Sequence, residues 1–304
     1  MKHIKLICNL LLLLTAMIWG AAFVAQSVGM DYVGPWTFVF FRYLLSTVVL
    51  IPVSLLTDKH MQGQPLSKPS GGYLLGGLVC GLFLGLASIA QQIGMQYTTA
   101  GKAGFITTLY VILVPILSLF FGKRPEKKIW ISALLGLSGL YLISIKEGFR
   151  IEKGDALVIL CAFLFACQIL SVAHFSEKLP NPVRLANMQF FTVTIISLIG
   201  MLLFERPDLS DVYAALVPIL YAGICSGAIA YTLQVVAQKY TDPTIASLLM
   251  SLEAVFSALT GWLILGQILS PREAAGCGLV FLAVIISQVS WAGCRPDTGQ
   301  APEL

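Results

Sequence analysis

Ala246-Ser-Leu-Leu-Met-Ser-Leu-Glu-Ala-Val-Phe-Ser-Ala-Leu259 holds one acid, Glu253, in a run that is otherwise apolar or small. On a soluble helix that glutamate would face water. Within a bilayer it is costly, and must face a partner or a polar cavity. Composition decides between the two. Of the 304 residues, 57% are hydrophobic and only 11% are charged, against about 25% charged in a soluble domain. The mean hydropathy is +0.86. The chain therefore reads as an all-α polytopic membrane protein.

A helix needs about 20 residues to cross the hydrocarbon core. Ten segments qualify as transmembrane helices, at about 6–28, 34–56, 73–97, 100–121, 129–146, 155–175, 183–204, 212–237, 243–265 and 271–293. Pro and Gly punctuate the gaps, as at Gly34-Pro35, Pro180-Asn-Pro182 and Asp242-Pro243, and the loops are too short for a soluble domain. The first apolar run, from about Leu6 to Val28, is too long for a signal peptide and carries Trp19, so it reads as a retained helix.

With the N-terminus in the cytoplasm, that side holds twelve Lys and Arg and the other side six, while Arg42 lies inside a span. The positive-inside bias then places both termini in the cytoplasm. The cluster Lys123-Arg-Pro-Glu-Lys-Lys128 weighs most in this count. It reads as a topology anchor, with an anionic-lipid site as the rival reading. The net charge of +4 bears on orientation in the lipid bilayer. No basic run is long enough for a nucleic-acid patch.

The two halves of the chain repeat. At an offset of 143, Tyr97-Thr98 falls on Tyr240-Thr241, Gln91 on Gln234, Ala103 on Ala246, Thr108 on Ser251 and Tyr110 on Glu253. Pro35 and Arg42 correspond to Pro182 and Gln189. Residues 1–150 then form one five-span repeat and residues 151–304 a second. An odd number of spans makes the second copy enter from the other side. The expected fold is two inverted five-helix repeats around a central cavity, as in many secondary transporters. Gly77, Gly81 and Gly85 in span 3 recur at spacing four, as do Gly223 and Gly227 in span 8, one residue out of phase in the alignment. Such faces let helices approach closely.

The seven cysteines lie within apolar runs, or at the edge of the last one for Cys294, and read as buried free thiols. There is no CxxC pair and no His cluster, so no metal is expected. A phosphate-binding G-x-x-x-x-G-K-[ST] loop is missing from the sequence too. No paired aspartates, Ser/His pair or H-E-x-x-H occurs in the spans, which disfavours an intramembrane enzyme. No catalytic residue or cofactor is expected.

Six pieces occur in order along the ten spans: Ala16-Met-Ile-Trp-Gly20, Phe40-Phe-Arg-Tyr-Leu-Leu45, Tyr97-Thr-Thr-Ala-Gly-Lys-Ala-Gly-Phe-Ile106, Tyr110-Val-Ile-Leu-Val-Pro115, Ala246 to Glu253, and Gly261-Trp-Leu-Ile-Leu-Gly266. In these the chain resembles the EamA family of the drug/metabolite transporter (DMT) superfamily, over essentially its whole length. The resemblance implies a basket of ten helices whose cavity is lined by spans 1, 3, 4, 6, 8 and 9. It implies movement of amino acids, other metabolites or drugs, mostly outward; the expected location is the inner membrane of a bacterium. Two departures stand out. The family often has Glu-Pro where this chain has Glu253-Ala254, and Glu after the glycine where it has Gly266-Gln267. The first removes a kink expected in span 9.

Glu253 is read as the only acid within a span. It lies about 10 residues past Pro243, hence ~15 Å deep, near the midplane. It suits proton coupling or the binding of a cationic substrate group; a structural, hydrogen-bonded acid is the plain alternative. Arg42 suits a carboxylate or phosphate clamp or a structural anchor on a peripheral span. Gln91 and Gln234 suit substrate amide contacts or interhelical bonds. Tyr110, the counterpart of Glu253, approaches the same volume. Trp19, Tyr231, Thr107, Thr108, Gln168 and Ser251 offer aromatic walls and hydrogen bonds, with packing as the alternative for each. Lys102 marks the outer end of span 4.

The expectation is a secondary transporter of a small-molecule substrate, working by alternating access, with protons as a coupling ion. A channel-like permease and an organic-phosphate or nucleotide-sugar carrier are the alternatives. The carrier would want several cavity-facing Lys or Arg, and only Arg42 qualifies.

Overall fold

The computed structural model describes residues 2–61, 71–98, 100–144, 153–265 and 270–288. The expected repeat boundary at 150/151, the Gly266-Gln267 departure, Cys294, and the charges of Lys68, Lys146, Arg150 and Arg295 lie outside these residues. The first half contains α1 (Lys2–Gly29), α2 (Pro35–Met61), α3 (Gly71–Gly94), α4 (Ala100–Thr107), α5 (Tyr110–Phe120) and α6 (Lys127–Ser144). The second contains α7 (Lys153–Lys178), α8 (Pro182–Phe204), α9 (Leu209–Ala214), α10 (Leu216–Leu220), a π-helix (Tyr221–Tyr231), α11 (Thr232–Gln238), α12 (Pro243–Met250), α13 (Glu253–Leu265) and α14 (Pro271–Gln288).

Among the described residues, eight helical stretches are long and apolar enough to cross a membrane. They correspond to expected spans 1 to 4 and 6 to 9. The other two expected spans are α6 and α14, each 18 residues long. Each opens on a charged pair, Lys127-Lys128 or Arg272-Glu273, and the described part of its apolar run is shorter than the ~20 residues of a full crossing. The outer faces are apolar: Leu6, Ile7, Leu55, Leu56, Leu202 and Leu203 are each more than half exposed. A belt of this kind suits lipid rather than water.

Expected spans 4 and 9 are each broken, at Thr108-Leu109 and at Ser251-Leu252. The break in span 9 corrects the expectation that Ala254, in place of proline, leaves that helix without a kink. The cause is local hydrogen bonding. Ser251 Oγ donates to Leu248 O at 2.7 Å, and Leu252 N–H turns to Leu249 O, three residues back. A hydroxyl and a tightened turn compete with the i−4 ladder and bend the helix. The break in span 4 has the same bonds at an offset of 143. Thr108 Oγ1 donates to Phe105 O at 2.8 Å, and Leu109 N–H donates to Ile106 O. Val111 N–H and Ala254 N–H then donate to Thr108 O and Ser251 O.

Packing also pairs the halves. α2 lies on α8 and α6 on α14, each joining counterpart spans. Exchanging the halves carries the α3–α7 contact onto π-helix–α1, α3–α8 onto π-helix–α2, and α1–α13 onto the contacts of α7 with α4 and α5. Small residues make the closest crossings possible. A Cβ on Gly81 would lie 2.6 Å from Gln189 O on α8, and one on Gly223 would lie 2.7 Å from Leu45 Cδ2 on α2.

Candidate functional site

The helices line a central, partly open cavity. Its walls come from spans 1, 3, 4, 6, 8 and 9, with one residue, Arg42, reaching in from α2. On α1 the lining residues are Trp19, Ala22, Phe23 and Gln26, spaced i, i+3, i+4, i+7, so one helical face points inward. On α7, Phe165, Gln168 and Ile169 repeat part of that spacing.

The aromatic wall is Trp19 against Tyr231, with ring centroids 4.6 Å apart. Trp19 Nε1 donates to Ser226 O at 3.1 Å. The π-helix leaves this carbonyl beside the cavity, and π segments are common at functional sites. Tyr231 packs on Tyr43 and Phe190, with centroids 6.3 and 6.0 Å away.

Amides carry the polar contacts. Gln91 Nε2 donates to Thr107 Oγ1 at 3.0 Å. Its counterpart Gln234 donates from Nε2 to Gln168 Oε1 at 3.3 Å, and Gln168 Nε2 donates to Gln189 Oε1 at 3.3 Å. This ladder leaves Gln234 Oε1 and Gln189 Nε2 buried with no hydrogen-bond partner. Buried polar atoms are normally paired, so both atoms have capacity for a ligand or water.

At the start of α5 and of α13, Tyr110 Oη donates to Glu253 Oε1 at 3.1 Å. Glu253 is 4% exposed and Tyr110 3%. Among the described residues no ion pair joins Glu253. Gly20 brings α1 against this point: a Cβ there would lie 2.8 Å from Glu253 O. Arg42 is 3% exposed and does not snorkel. It donates from Nη1 to Gln26 Oε1 at 3.3 Å and from Nη2 to Ser226 Oγ at 2.9 Å.

The structure thus brings Glu253, Gln91, Gln234, Tyr110, Trp19, Tyr231, Gln168 and Arg42 to one cavity. Thr108 is not among its walls. Its hydroxyl is spent on Gly104 O and Phe105 O, where it shapes the helix break, and its neighbour Thr107 lines the cavity instead. Ser251 has the same role in the second half. Gln26, Phe165 and Met250 are lining residues that the sequence reading missed. The helical spacing from Trp19 to Gln26 was the signal that could have found the first.

Two further buried acids inside the expected spans, Asp155 and Glu273, were also missed, so Glu253 is not the only acid within a span. Asp155 lies in the first turn of α7 with a fully buried side chain. It pairs with Lys102 Nζ at 2.6 Å and accepts from Thr98 Oγ1 at 2.9 Å. Lys102 is therefore tied to α7.

Three kinds of known protein are similar to this chain. A family model described as the EamA-like transporter family matches residues 6–145 and 152–288. An uncharacterized transporter of Archaeoglobus fulgidus is 32% identical over 93% of this chain and 86% of its own length. The uncharacterized transporter YoaV of Bacillus subtilis is 22% identical over 91% and 94%. The uncharacterized inner membrane transporter YedA of Escherichia coli is 21% identical over 88% and 86%. One crystal structure superposes with a TM-score of 0.74 at 20% identity, covering 92% of this chain and 96% of that one.

Proposed function

The chain belongs to the EamA-like transporter family, and from that premise we propose that it is a secondary transporter that exports a small metabolite, such as an amino acid or a drug-like compound, by alternating access. The cavity is the observation that carries this reading. It is central, it is lined from both halves, and Tyr110 and Glu253 bridge the two halves at the helix breaks.

The architecture we propose is ten spans in two inverted five-helix repeats. The matching bonds at the two breaks, the exchangeable helix contacts and the separate family matches to residues 6–145 and 152–288 support it. Residence in the inner membrane is proposed from the likeness to YedA, an inner membrane transporter. Both termini lie in the cytoplasm on the Lys and Arg count. Reporter fusions at each loop test that orientation, and an external C-terminus would overturn it.

The chemistry centres on Glu253. Among the described residues Glu253 has one neutral donor and no ion-pair partner, and a buried carboxylate so placed is costly until it takes a proton or a cationic group. Loading it frees Tyr110, and the starts of α5 and α13 can separate toward one side. Gln91, Gln234 and Gln168 offer amide contacts to substrate, and Trp19 and Tyr231 supply a flat apolar wall. Flux of labelled amino acids and cationic drugs from proteoliposomes at two pH values tests this. Wild type moves at least one solute, and Glu253→Gln abolishes its pH dependence. Mutant flux with an unchanged pH profile removes Glu253 from the mechanism; no flux of any solute removes this substrate range.

A further inference from the structure

Among the described residues Arg42 has no ion-pair partner. Its guanidinium has five N–H donors. Two are engaged, by Gln26 Oε1 and Ser226 Oγ, both neutral. Nε is buried with no hydrogen-bond partner. Among the described residues no carboxylate lies in ion-pair range of it, yet the side chain is 3% exposed and lines the cavity. An unpaired cation at this depth is costly, and such residues mark ligand pathways in membrane proteins. The counterpart position in the second half is Gln189, a neutral amide closing the Gln234–Gln168–Gln189 ladder.

We propose that Arg42 is an anion-binding subsite of the transport cavity, and that its ligand is the carboxylate of the transported solute. This rests on the transporter reading above and names the substrate class for it. The planar guanidinium fork matches a carboxylate and retains unused donors for it. Charge balance selects a monocarboxylate over a phosphate. Among the described lining residues Arg42 is the only cation, and Glu253, which lines the same cavity, carries no charge once it has taken up a proton. A dianion would leave excess negative charge in a buried space, whereas one carboxylate neutralises one guanidinium. A purely structural Arg42, holding α1 and the π-helix to α2, would not distinguish an acid from its amide.

The test uses the full chain purified in detergent and three matched probe pairs: propanoate with propanamide, 3-phenylpropanoate with 3-phenylpropanamide, and leucine with leucinamide. Thermal shift against probe concentration gives an apparent Kd for each. In at least one pair the acid binds ten-fold or more tightly than the amide. Arg42→Gln removes that preference, and Arg42→Lys, which keeps the charge but loses the fork, retains part of it. Equal binding of acids and amides overturns the proposal, as does the lack of binding by every acid, or a preference that survives in Arg42→Gln. If Arg42→Gln does not yield folded protein, the wild-type acid-to-amide ratio and Arg42→Lys still decide. Proteoliposome flux of leucinamide separates the two readings: if it proceeds while acids fail to bind, the transporter reading stands and the carboxylate subsite falls.

Discussion

Tyr110 and Glu253 hold equivalent positions in the two halves of the chain, 143 residues apart, and they are hydrogen-bonded to each other at 3.1 Å. Under the proposed inverted repeat, two residues related by its two-fold can touch only where they straddle the axis. Their contact therefore fixes where the halves meet, and it puts the buried acid there. The bond should couple the two energetically. Tyr110→Phe removes the donor and leaves the carboxylate without it, at a cost of about 1–3 kcal/mol. Glu253→Gln in the same background should then cost less than it does alone. A double-mutant cycle by thermal unfolding checks this, and additive effects within ~0.5 kcal/mol would show the contact to be idle.

Two of the ion pairs at helix ends should behave differently. Lys102 and Asp155 have side chains 14% and 0% exposed, while Arg184 and Asp58 are at 32% and 26%. Removing one partner of a buried pair costs about 3–5 kcal/mol; a pair nearer the surface, half-buried like Arg184 and Asp58, is worth closer to the ~0–1 kcal/mol of a surface pair. Lys102→Met should lower Tm far more than Arg184→Met, measured side by side in one detergent.

Gly81 and Gly85 lie one turn apart on α3 and should diverge on substitution. A Cβ at Gly81 would sit 2.6 Å from Gln189 O, whereas at Gly85 its nearest neighbours are side-chain carbons at 3.5 Å. Gly81→Ala must push α3 off α8 and should cost about 1–3 kcal/mol. Gly85→Ala makes ordinary contacts and gains helix propensity of ~0.8–1 kcal/mol, so its Tm should hold or rise.

Apolar run length and the offset of 143 made much of this legible beforehand. They placed the eight long spans and put Gln91, Gln234, Tyr110 and Glu253 together. What escaped was decided by side-chain direction and local bonding. Thr107 and Thr108 are indistinguishable by composition, but only one faces inward. The kink at Ser251 comes from a hydroxyl rather than a proline, so looking for proline could not find it. Arg42 seemed peripheral because its helix is; its long side chain reaches the centre all the same. Asp155 opens α7, and its burial against Lys102 follows from the neighbouring helix, which a one-dimensional pattern does not contain.

The π-helix from Tyr221 to Tyr231 accounts for a discrepancy in length between the halves. Ten residues separate Gly81 from Gln91, and eleven separate Gly223 from Gln234. Both glycines nonetheless face a neighbouring helix, and both glutamines face the cavity. An ordinary α-helix would swing Gln234 about 100° off target for the added residue, at 3.6 residues per turn. The wider i→i+5 winding takes up that residue within the coil. The second half carries a one-residue insertion, absorbed by winding, and its ends keep the aim of the copy that lacks it.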